Sequence, residues 1–460
     1  MKGAAAQLVD SHAHLDFAQF EGRLDIVMKR AEETGVSHVL TVGISYETAL
    51  KALEIAERYP NVSAAAGIHP NEVAEHFGEF ERLRGLFATA PLVAVGETGL
   101  DFYRNYTPRE AQAKAFRAHL ELALERDLPV IIHVRDAHKE ALSILDGLGR
   151  MPRGVFHCFS GTSAFAREVL DRGFFISIAG QVTYKNANDL RATVATLPAG
   201  RLLVETDCPY LAPVPMRGKD NEPAYVRYTA EKVAEILGIP FADVARTTTT
   251  NAWRLFGIGE EPGRGEIAYE IGDNLYLNIT NRCPNACPWC VRFRSPYLKG
   301  HNLTLDHEPS YEEIIAAMGD VSGYGEVVFC GYGEPTERLD TLKQVASYLK
   351  GKGARVRLDT NGLGSLIAGR DIVPELVGLV DAVSVSVNTA DARQYAEICR
   401  PTFGEKAHEA VLEFVRRAKE AIGDVTVTAV TLPGVDVEAV RRLAEGMGVR
   451  FRARKYVANG

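Results

Sequence analysis

A chain of 460 residues is too long for one ordinary hydrophobic core and predicts two domains, or one large barrel with an appendage. Its 46% apolar and 24% charged residues, without any biased tract, are those of a globular protein, and a formal charge of −8 argues against a broad Lys/Arg surface for phosphates. A bound divalent cation could still supply positive charge locally.

Seven cysteines are too few for a disulfide scaffold. No apolar run approaches the roughly 18–20 residues of a spanning helix, and the opening MKGAAAQLVD carries no signal-peptide core. The expected setting is therefore cytoplasmic, with no membrane partner.

Strands are expected at 8–16 (LVDSHAHLD), 38–43, 63–69, 92–99 (LVAVGETG), 129–134, 154–160, 174–180 and 202–207 (LLVETD). Helical patterns separate them, the clearest at 110–127, and a closing helix at 225–238 is followed by NAWRLFGI (251–258). Eight strand–helix units in about 250 residues predict a closed parallel (β/α)8 barrel of the TIM type over residues 1–258. GEEPGRGE (259–266) has Gly, Pro and charge without periodicity, which predicts a linker at 259–265. Strand patterns then restart at 274–280, 326–331, 355–362, 382–388, 425–430 and 451–457, predicting a smaller, partial (β/α)6 barrel over 266–460. The fold class is α/β throughout.

The polar residues of the first barrel gather at predicted strand C-termini. His12 and His14 are two apart on the first strand and project to one side, into the barrel. Glu97 closes the fourth strand, His133 ends the fifth, His157 lies on the sixth and Asp207 ends the eighth. Alone, a strand-end His is more often a satisfied polar group, and an acid there is commonly a helix cap. Six such residues on one barrel point to a site for Zn, Mn or another divalent ion, with carboxylates tolerating Mg. His69 (GIHP) and Arg135 (HVRD) lie beside this set and are candidates to hold a substrate phosphate, as is Lys185; Asp136 is an alternative partner for Arg135. Asp16 and Asp101 read as residues that orient ligands or cap helices. Alternation points Cys158 and Cys208 away from the metals, as packing residues.

DSHAHLDF, GIHP, GETGLDF, IIHVRDA, FHCFSG, ETDCPYLAPVP and RGKDNEPAYV, spread over 8–257, resemble successive motifs of the TatD family of metal-dependent hydrolases. That family belongs to the amidohydrolase-like barrels and includes divalent-metal deoxyribonucleases, some trimming DNA from the 3′ end. The resemblance implies two divalent ions (Mg, Mn or Zn) bridged by Glu97. His12, His14 and Asp207 would serve one ion, His133 and His157 the other. Asp207 would also accept a proton from the attacking water, so Glu97 and Asp207 are the catalytic candidates and DNA or a nucleotide the expected substrate.

The second half carries CPNACPWC (283–290), with Cys283, Cys287 and Cys290 in C-x3-C-x2-C spacing after a strand. Pro284 and Pro288 keep this loop from closing into a helix. A structural zinc site wants four ligands, which here would require Cys330 or His301. A 4Fe-4S cluster can instead be held by three cysteines, leaving one iron open to a substrate. The pattern is similar to the signature of the radical S-adenosylmethionine (SAM) family, with Trp289 as the aromatic residue before the third cysteine.

In GYGEP (331–335) Tyr332 stands at the second position of that family's Gly-Gly-Glu turn and Gly333 follows, making Glu334 the residue matched to the amino group of S-adenosylmethionine. DTNG (359–362) and SVSVN (384–388) resemble pocket-lining positions of short activase-type members, so Asp359 and Asn388 join Trp289 and Glu334 as candidate cofactor-binding residues. Cys330 and Cys399 read as buried apolar fillers. The resemblance implies one-electron cleavage of the sulfonium to a 5′-deoxyadenosyl radical, an electron donor of the flavodoxin or ferredoxin type, and a radical substrate that the sequence does not identify.

Three functions fit these residues. The first is a bifunctional enzyme, a phosphodiester hydrolase joined to radical SAM chemistry. The second is a small-molecule amide or ester hydrolase coupled to radical modification of the same metabolite. The third is a nuclease regulated by a non-catalytic redox cluster. An intact GYGEP grip argues against the third, and the resemblance to nucleases outweighs the acidic balance that favours the second. The bifunctional enzyme is the expectation.

Overall fold

The computed structural model describes residues 7–104 and 106–456, which divide into two units between Pro262 and Gly263. In the first unit eight parallel strands follow one another in chain order: β1 (Leu8–Ala13), β2 (Val36–Gly43), β3 (Val62–Ala66), β4 (Leu92–Asp101), β5 (Val130–Arg135), β6 (Gly154–Phe156), β7 (Phe175–Ile178) and β8 (Leu202–Val204). The seam from β8 to β1 is drawn together by a parallel bridge from Ala13 to Cys208, by Asp207 N–H on the His12 carbonyl at 2.9 Å, and by Ser11 Oγ on the Val204 carbonyl at 3.0 Å. The result is a near-closed barrel.

The strands are short apolar runs, buried on both faces as a parallel sheet requires. Outside, amphipathic helices cover them. Helix Arg109–Arg126 buries Ala115, Phe116, His119, Leu120 and Ala123, a three-and-four spacing along one stripe, and stops where Asp127 turns left-handed at φ 52°. Inside, Val9, Leu40, Ala65, Ile131 and Phe175 meet Leu255 and Phe256 from helix Phe241–Phe256. Each of these side chains larger than alanine contributes roughly 1.5–3 kcal/mol on burial. The strand N-terminal ends are thereby filled with apolar residues, and the polar residues are left to the C-terminal ends.

Five strands stop sooner than the sequence pattern predicts, β3 (at Ala66) and β7 (at Ile178) among them. β1 ends at Ala13, β6 at Phe156 and β8 at Val204, so His14, His157 and Asp207 stand just past their ladders. Two run further: β4 continues to Asp101 and β5 to Arg135, which puts Glu97 and His133 inside theirs. At β6 and β8 the backbone turns away, because Cys158 (φ 45°) and Asp207 (φ 56°) leave the extended region within three residues of the last paired one.

The second unit is a seven-stranded sheet in the order β17-β16-β15-β14-β13-β10-β9. Its strands are β9 (Ala268–Ile271), β10 (Asn274–Leu277), β13 (Val327–Phe329), β14 (Val356–Thr360), β15 (Ala382–Ser386), β16 (Val425–Val430) and β17 (Arg450–Arg454). Between β10 and β13 lies a small antiparallel pair, β11 (Tyr297–Leu298) and β12 (His301–Asn302). All neighbours in the large sheet are parallel except β9, which pairs antiparallel with β10.

The six expected strands are thus joined by an edge strand that the sequence reading missed. Its signal was the turn IGDN, with Gly272 at φ 60°, between two short alternating runs. The last residue of the predicted strand 451–457 lies outside the described residues. One face of this sheet (Val356, Leu358, Val383, Val385, Val425, Val427) packs with helix residues such as Leu342, Val345, Val411 and Phe414. Alternation gives the other face to Arg357, Asp359, Ser384, Thr426, Arg452 and Arg454. Among the described residues no helix is long and apolar enough to cross a membrane.

Candidate functional site

The first site is built around one carboxylate. β4 and β5 approach so closely at Gly99 (φ +141°) that a Cβ there would lie 2.0 Å from the His133 carbonyl oxygen, so only glycine lets the two strands bring Glu97 and His133 together. Oε2 of Glu97 lies 3.3 Å from His12 Nε2 and 3.6 Å from His14 Nε2. Its Oε1 lies 2.7 Å from His157 Nε2, 2.9 Å from His133 Nδ1 and 3.4 Å from His69 Nε2. Asp207 Oδ1 joins the first group, 3.5 Å from His14 Nε2 and 3.8 Å from His12 Nε2. Each oxygen of Glu97 therefore faces its own cluster of imidazoles. The trios His12–His14–Glu97 and His69–Glu97–His133 each gather side-chain atoms within 4.8 Å of one another, and the imidazoles other than His69, with the carboxylates, are a donor set that fits divalent ions.

Outer partners decide which ring nitrogen faces inward. His14 Nδ1 is 2.9 Å from the Val42 carbonyl, which in the neutral ring places the proton there and leaves Nε2 as the lone pair. His133 Nε2 lies 3.5 Å from Asp101 Oδ2 and His157 Nδ1 3.4 Å from Glu205 Oε1, charge contacts rather than hydrogen bonds, while the other nitrogen of each ring faces Glu97. Asp101 is itself held by the backbone N–H groups of Tyr103 (2.9 Å) and Arg104 (3.0 Å) and by the Asn71 amide (3.2 Å). His69 is wired the opposite way. Its Nδ1 accepts from the Asn71 N–H at 3.1 Å, so the neutral ring carries its proton on Nε2 and is a donor towards the centre.

Electrostatics follow from this crowding. Burial alone would raise Glu97, but the charges of His157 and His69 and the bonds from His12 and His133 hold it well below the usual carboxylate range. Burial pulls His14 down, yet Asp207 and Glu97 push it up to about 9. Burial prevails at His12 and His69, which are lowered. At His157 it loses to Glu97 and Glu205, and the imidazole is raised well above its ordinary value.

Arg135 stacks its guanidinium on the Tyr103 ring at 3.8 Å and pairs with no carboxylate among the described residues, Asp136 included. Lys185 is exposed, and burial raises the Asp16 carboxyl. Cys208 packs in the core as expected, and Cys158 is half-buried. The left-handed backbone at Cys158 breaks the alternation. Its thiol lies 3.4 Å from the Gln181 amide, and burial with the charges of Asp207, Glu205 and Glu97 raises it well above its ordinary value.

Two carboxylates went unread in the sequence. Glu205, two residues before Asp207, accepts from Cys158 N–H at 2.5 Å and groups with His12 and His157. Asp10, two before His12, accepts from Thr206 N at 2.9 Å and Thr206 Oγ at 2.5 Å, and burial pushes it up to about 8. Shared strand parity with a known candidate was the available signal for both.

In the second unit the cysteine loop is seated on the end of helix Ala392–Cys399. Ala286 N–H donates to the Cys399 carbonyl at 3.1 Å, the Trp289 indole donates to the Ile398 carbonyl at 3.0 Å, and Asn285 bridges to Pro401. Cys283 Sγ accepts from the Asn361 amide at 3.7 Å, which links the loop to DTNG. At Gly333 a Cβ would sit 2.3 Å from the Thr280 carbonyl oxygen, so the GYGEP turn fits against the loop only with glycine. Glu334 is buried and its carboxylate is taken up by the chain. It accepts from Thr336 Oγ (2.7 Å), Thr336 N (3.2 Å), Thr360 Oγ (2.7 Å) and Asn361 N (2.7 Å).

Burial and Glu334 push Cys283 up to about 12 and burial raises Cys290, while Cys287 is raised chiefly by its contact with the Cys399 thiol. All seven cysteines are free thiols, and three on one short loop are a donor set that fits an iron–sulfur cluster. His301 is held between Glu266 (2.7 Å) and the Glu270 carbonyl (2.8 Å). Asn388, at φ 63°, places its amide 3.6 Å from Cys399 Sγ. Asp359 accepts from Arg357 at 2.9 Å. Cys399 is fully buried, as read, but against Cys287. Cys330 is half-buried, and burial with the charge of Asp359 pushes its thiol up to about 12.

Residues 9–257 match the family model described as TatD related DNase, and residues 277–446 match that of the radical SAM superfamily. An uncharacterized metal-dependent hydrolase of Bacillus subtilis, YabD, is 41% identical over 253 residues, which cover 55% of this chain and 99% of that protein. The 3′-5′ ssDNA/RNA exonuclease TatD of Cronobacter sakazakii is 40% identical over 256 residues, covering 54% of this chain and 97% of the relative. The crystal structure of YJJV, a TatD homolog from Escherichia coli, superimposes with a TM-score of 0.53 at 31% identity, covering 55% of this chain and 99% of the other.

Proposed function

We propose a two-part function for this chain, which belongs to the TatD-related DNase family and carries a radical SAM domain behind that family's barrel. It is an enzyme, a metal-dependent hydrolase by family. Our reading is that the barrel hydrolyses phosphodiester bonds of single-stranded nucleic acid or of a nucleotide. The observation that supports it best is Glu97, whose two oxygens each face a separate group of nitrogen donors. A pair of divalent ions would supply Lewis-acid polarisation of the phosphoryl oxygens and a more acidic water.

The chain's own part is to hold and to move protons. His12, His14 and Asp207 would retain one ion and His133 and His157 the other, with Glu97 between them. His69, obliged by Asn71 to present Nε2–H, would donate to a phosphate oxygen, and Arg135, flat on Tyr103, would hold a second one. Asp207 would accept the proton released by the attacking water.

For the second unit the proposed activity is reductive cleavage of S-adenosylmethionine, for which a 4Fe-4S cluster held by Cys283, Cys287 and Cys290 would supply the electron. A flavodoxin- or ferredoxin-type donor would reduce it. Glu334 would act by fixing the GYGEP backbone beside DTNG, and Trp289 and Asn388 by holding the cysteine loop and its supporting helix in place.

The hydrolase reading is tested with a single-stranded DNA oligonucleotide labelled at its 5′ end, incubated with Mg²⁺ or Mn²⁺ or with EDTA. Stepwise shortening from the 3′ end in metal alone is expected. Hydrolysis that survives EDTA, or an intact oligonucleotide beside rapid turnover of simple amides or esters, would overturn it.

A further inference from the structure

The helix-free face of the second sheet carries more charge than the interior of an ordinary α/β domain. On β17 every second residue on this face is an arginine: Arg450, Arg452 and Arg454. β14 adds Arg357 and Asp359, and β15 adds Ser384. Part of this charge is matched. Arg355 pairs with Glu326 at 2.9 Å and Asp424 at 2.8 Å, Arg357 with Glu326 at 2.5 Å and Asp359 at 2.9 Å, and Arg450 with Asp424.

Two arginines remain over. Arg454 reaches across to Asp359 Oδ2 and Ser384 Oγ, but only at 3.4 Å each, and its buried Nε has no hydrogen-bond partner. The side chain of Arg452, exposed to solvent, makes no hydrogen bond or ion pair among the described residues. Burial and the like charges of Arg454 and Arg357 lower the Arg452 guanidinium below its ordinary value, with Asp359 and Tyr276 opposing them. A cleft of about 410 Å³ opens on this face, lined among others by Arg357, Ser384, Thr426 and Arg452.

The buried Arg454 Nε is left without a partner, a cost that an acceptor reaching it would relieve, and the exposed guanidinium of Arg452 offers its whole fork at the cleft. The planar fork of arginine matches a carboxylate or a phosphate and little else. The hydroxyls of Ser384 and Thr426 supply neutral donors beside them, and Asp359 holds Arg454 in place without neutralising Arg452.

We propose that the polar face of this sheet is a binding site for an oxyanion-bearing small molecule, a carboxylate or a phosphate ester, held by Arg452 and Arg454. As the substrate class of the radical chemistry, this rests on the radical SAM reading given above; as an anion site it stands on the arginines alone. Asp359 is then a positioning residue for Arg454.

The test is arginine labelling of the full-length protein by phenylglyoxal, with modified residues located by peptide mass spectrometry. Inorganic phosphate, succinate, or chloride at matched ionic strength is present in parallel samples. Labelling at Arg452 and Arg454 should fall about tenfold at an anion concentration ten times that of half-protection, as one saturable site requires. Arg393, whose side chain is 85% exposed, serves as the unprotected reference. Protection by phosphate alone identifies a phosphate ester, by succinate alone a carboxylate, and by both an oxyanion site of either kind. Protection by none, or equally by chloride, overturns the proposal. The same preparation, reduced anaerobically with S-adenosylmethionine, is assayed for 5′-deoxyadenosine. If none forms while protection persists, the radical reading fails and the anion site survives.

Discussion

The two candidate centres are assembled in contrasting ways. The barrel centre draws its donors from residues as far apart as His12 and Asp207, on the ends of separate strands, and outer partners such as Val42, Asp101 and Glu205 set the direction of individual imidazoles. The cysteine loop takes three donors from eight consecutive residues, and backbone bonds to the end of helix Ala392–Cys399 hold it. A dispersed site is only as good as the whole barrel that carries it, whereas a loop site depends on its immediate support. The first should fail steeply when its centre is removed and by degrees when its outer partners are; the second should fail all at once.

The largest effect is expected at the shared carboxylate. Glu97→Ala should lower the barrel's hydrolytic kcat roughly 10⁴-fold, the scale seen when one member of a cooperating catalytic set is removed, with the circular dichroism spectrum unchanged. Next comes pH. His119 is buried and neutral, its Nδ1–H on the Ala115 carbonyl at 2.7 Å and its Nε2 accepting from Ile68 N–H at 3.0 Å, and burial lowers its pKa from 6.5 to about 4.

A base whose pKa is depressed by folding contributes fully above its unfolded value and loses that contribution as pH falls towards the folded one. Between pH 7 and pH 4 the wild type should therefore lose about 3 kcal/mol more unfolding free energy than His119→Gln, measured by denaturant titration. Equal losses would show that the ring titrates normally.

A smaller effect tests the outer partners. Asp101→Asn keeps the shape and removes the charge behind His133, and should cost about 10–100-fold in metal affinity or activity. The smallest is Thr360→Val, which deletes one bond to Glu334 and should lower the stability of the second unit by about 1 kcal/mol, read from its unfolding transition.

Much of this was legible in the sequence because strand-end histidines and carboxylates repeat with the barrel's own period. His12, Glu97, His133, His157 and Asp207 could be picked out one strand at a time. What resisted reading depends on contacts between distant strands or on a change of backbone conformation. The tautomer of His69 is fixed by Asn71, and the strand alternation that would place Cys158 breaks because φ becomes positive there. In the second unit the parallel strands read clearly as apolar runs. Strand β9 was hidden because it directly follows a Gly- and Pro-rich stretch, and the charge of the open sheet face because each arginine of β17 alternates with other residues in an unremarkable run, RFRAR.

The central claim is that one chain carries a divalent-metal centre organised by Glu97 and a separate cluster held by the cysteine loop. Elemental analysis of the anaerobically purified full-length wild type, Glu97→Ala and Cys287→Ala proteins tests it most directly. The account predicts about four irons together with about two divalent ions in the wild type. Glu97→Ala should lose divalent metal and keep its iron, while Cys287→Ala should lose iron and keep its divalent metal. A wild type with one tightly bound zinc and no iron, or either variant losing both metals while still folded, would contradict it.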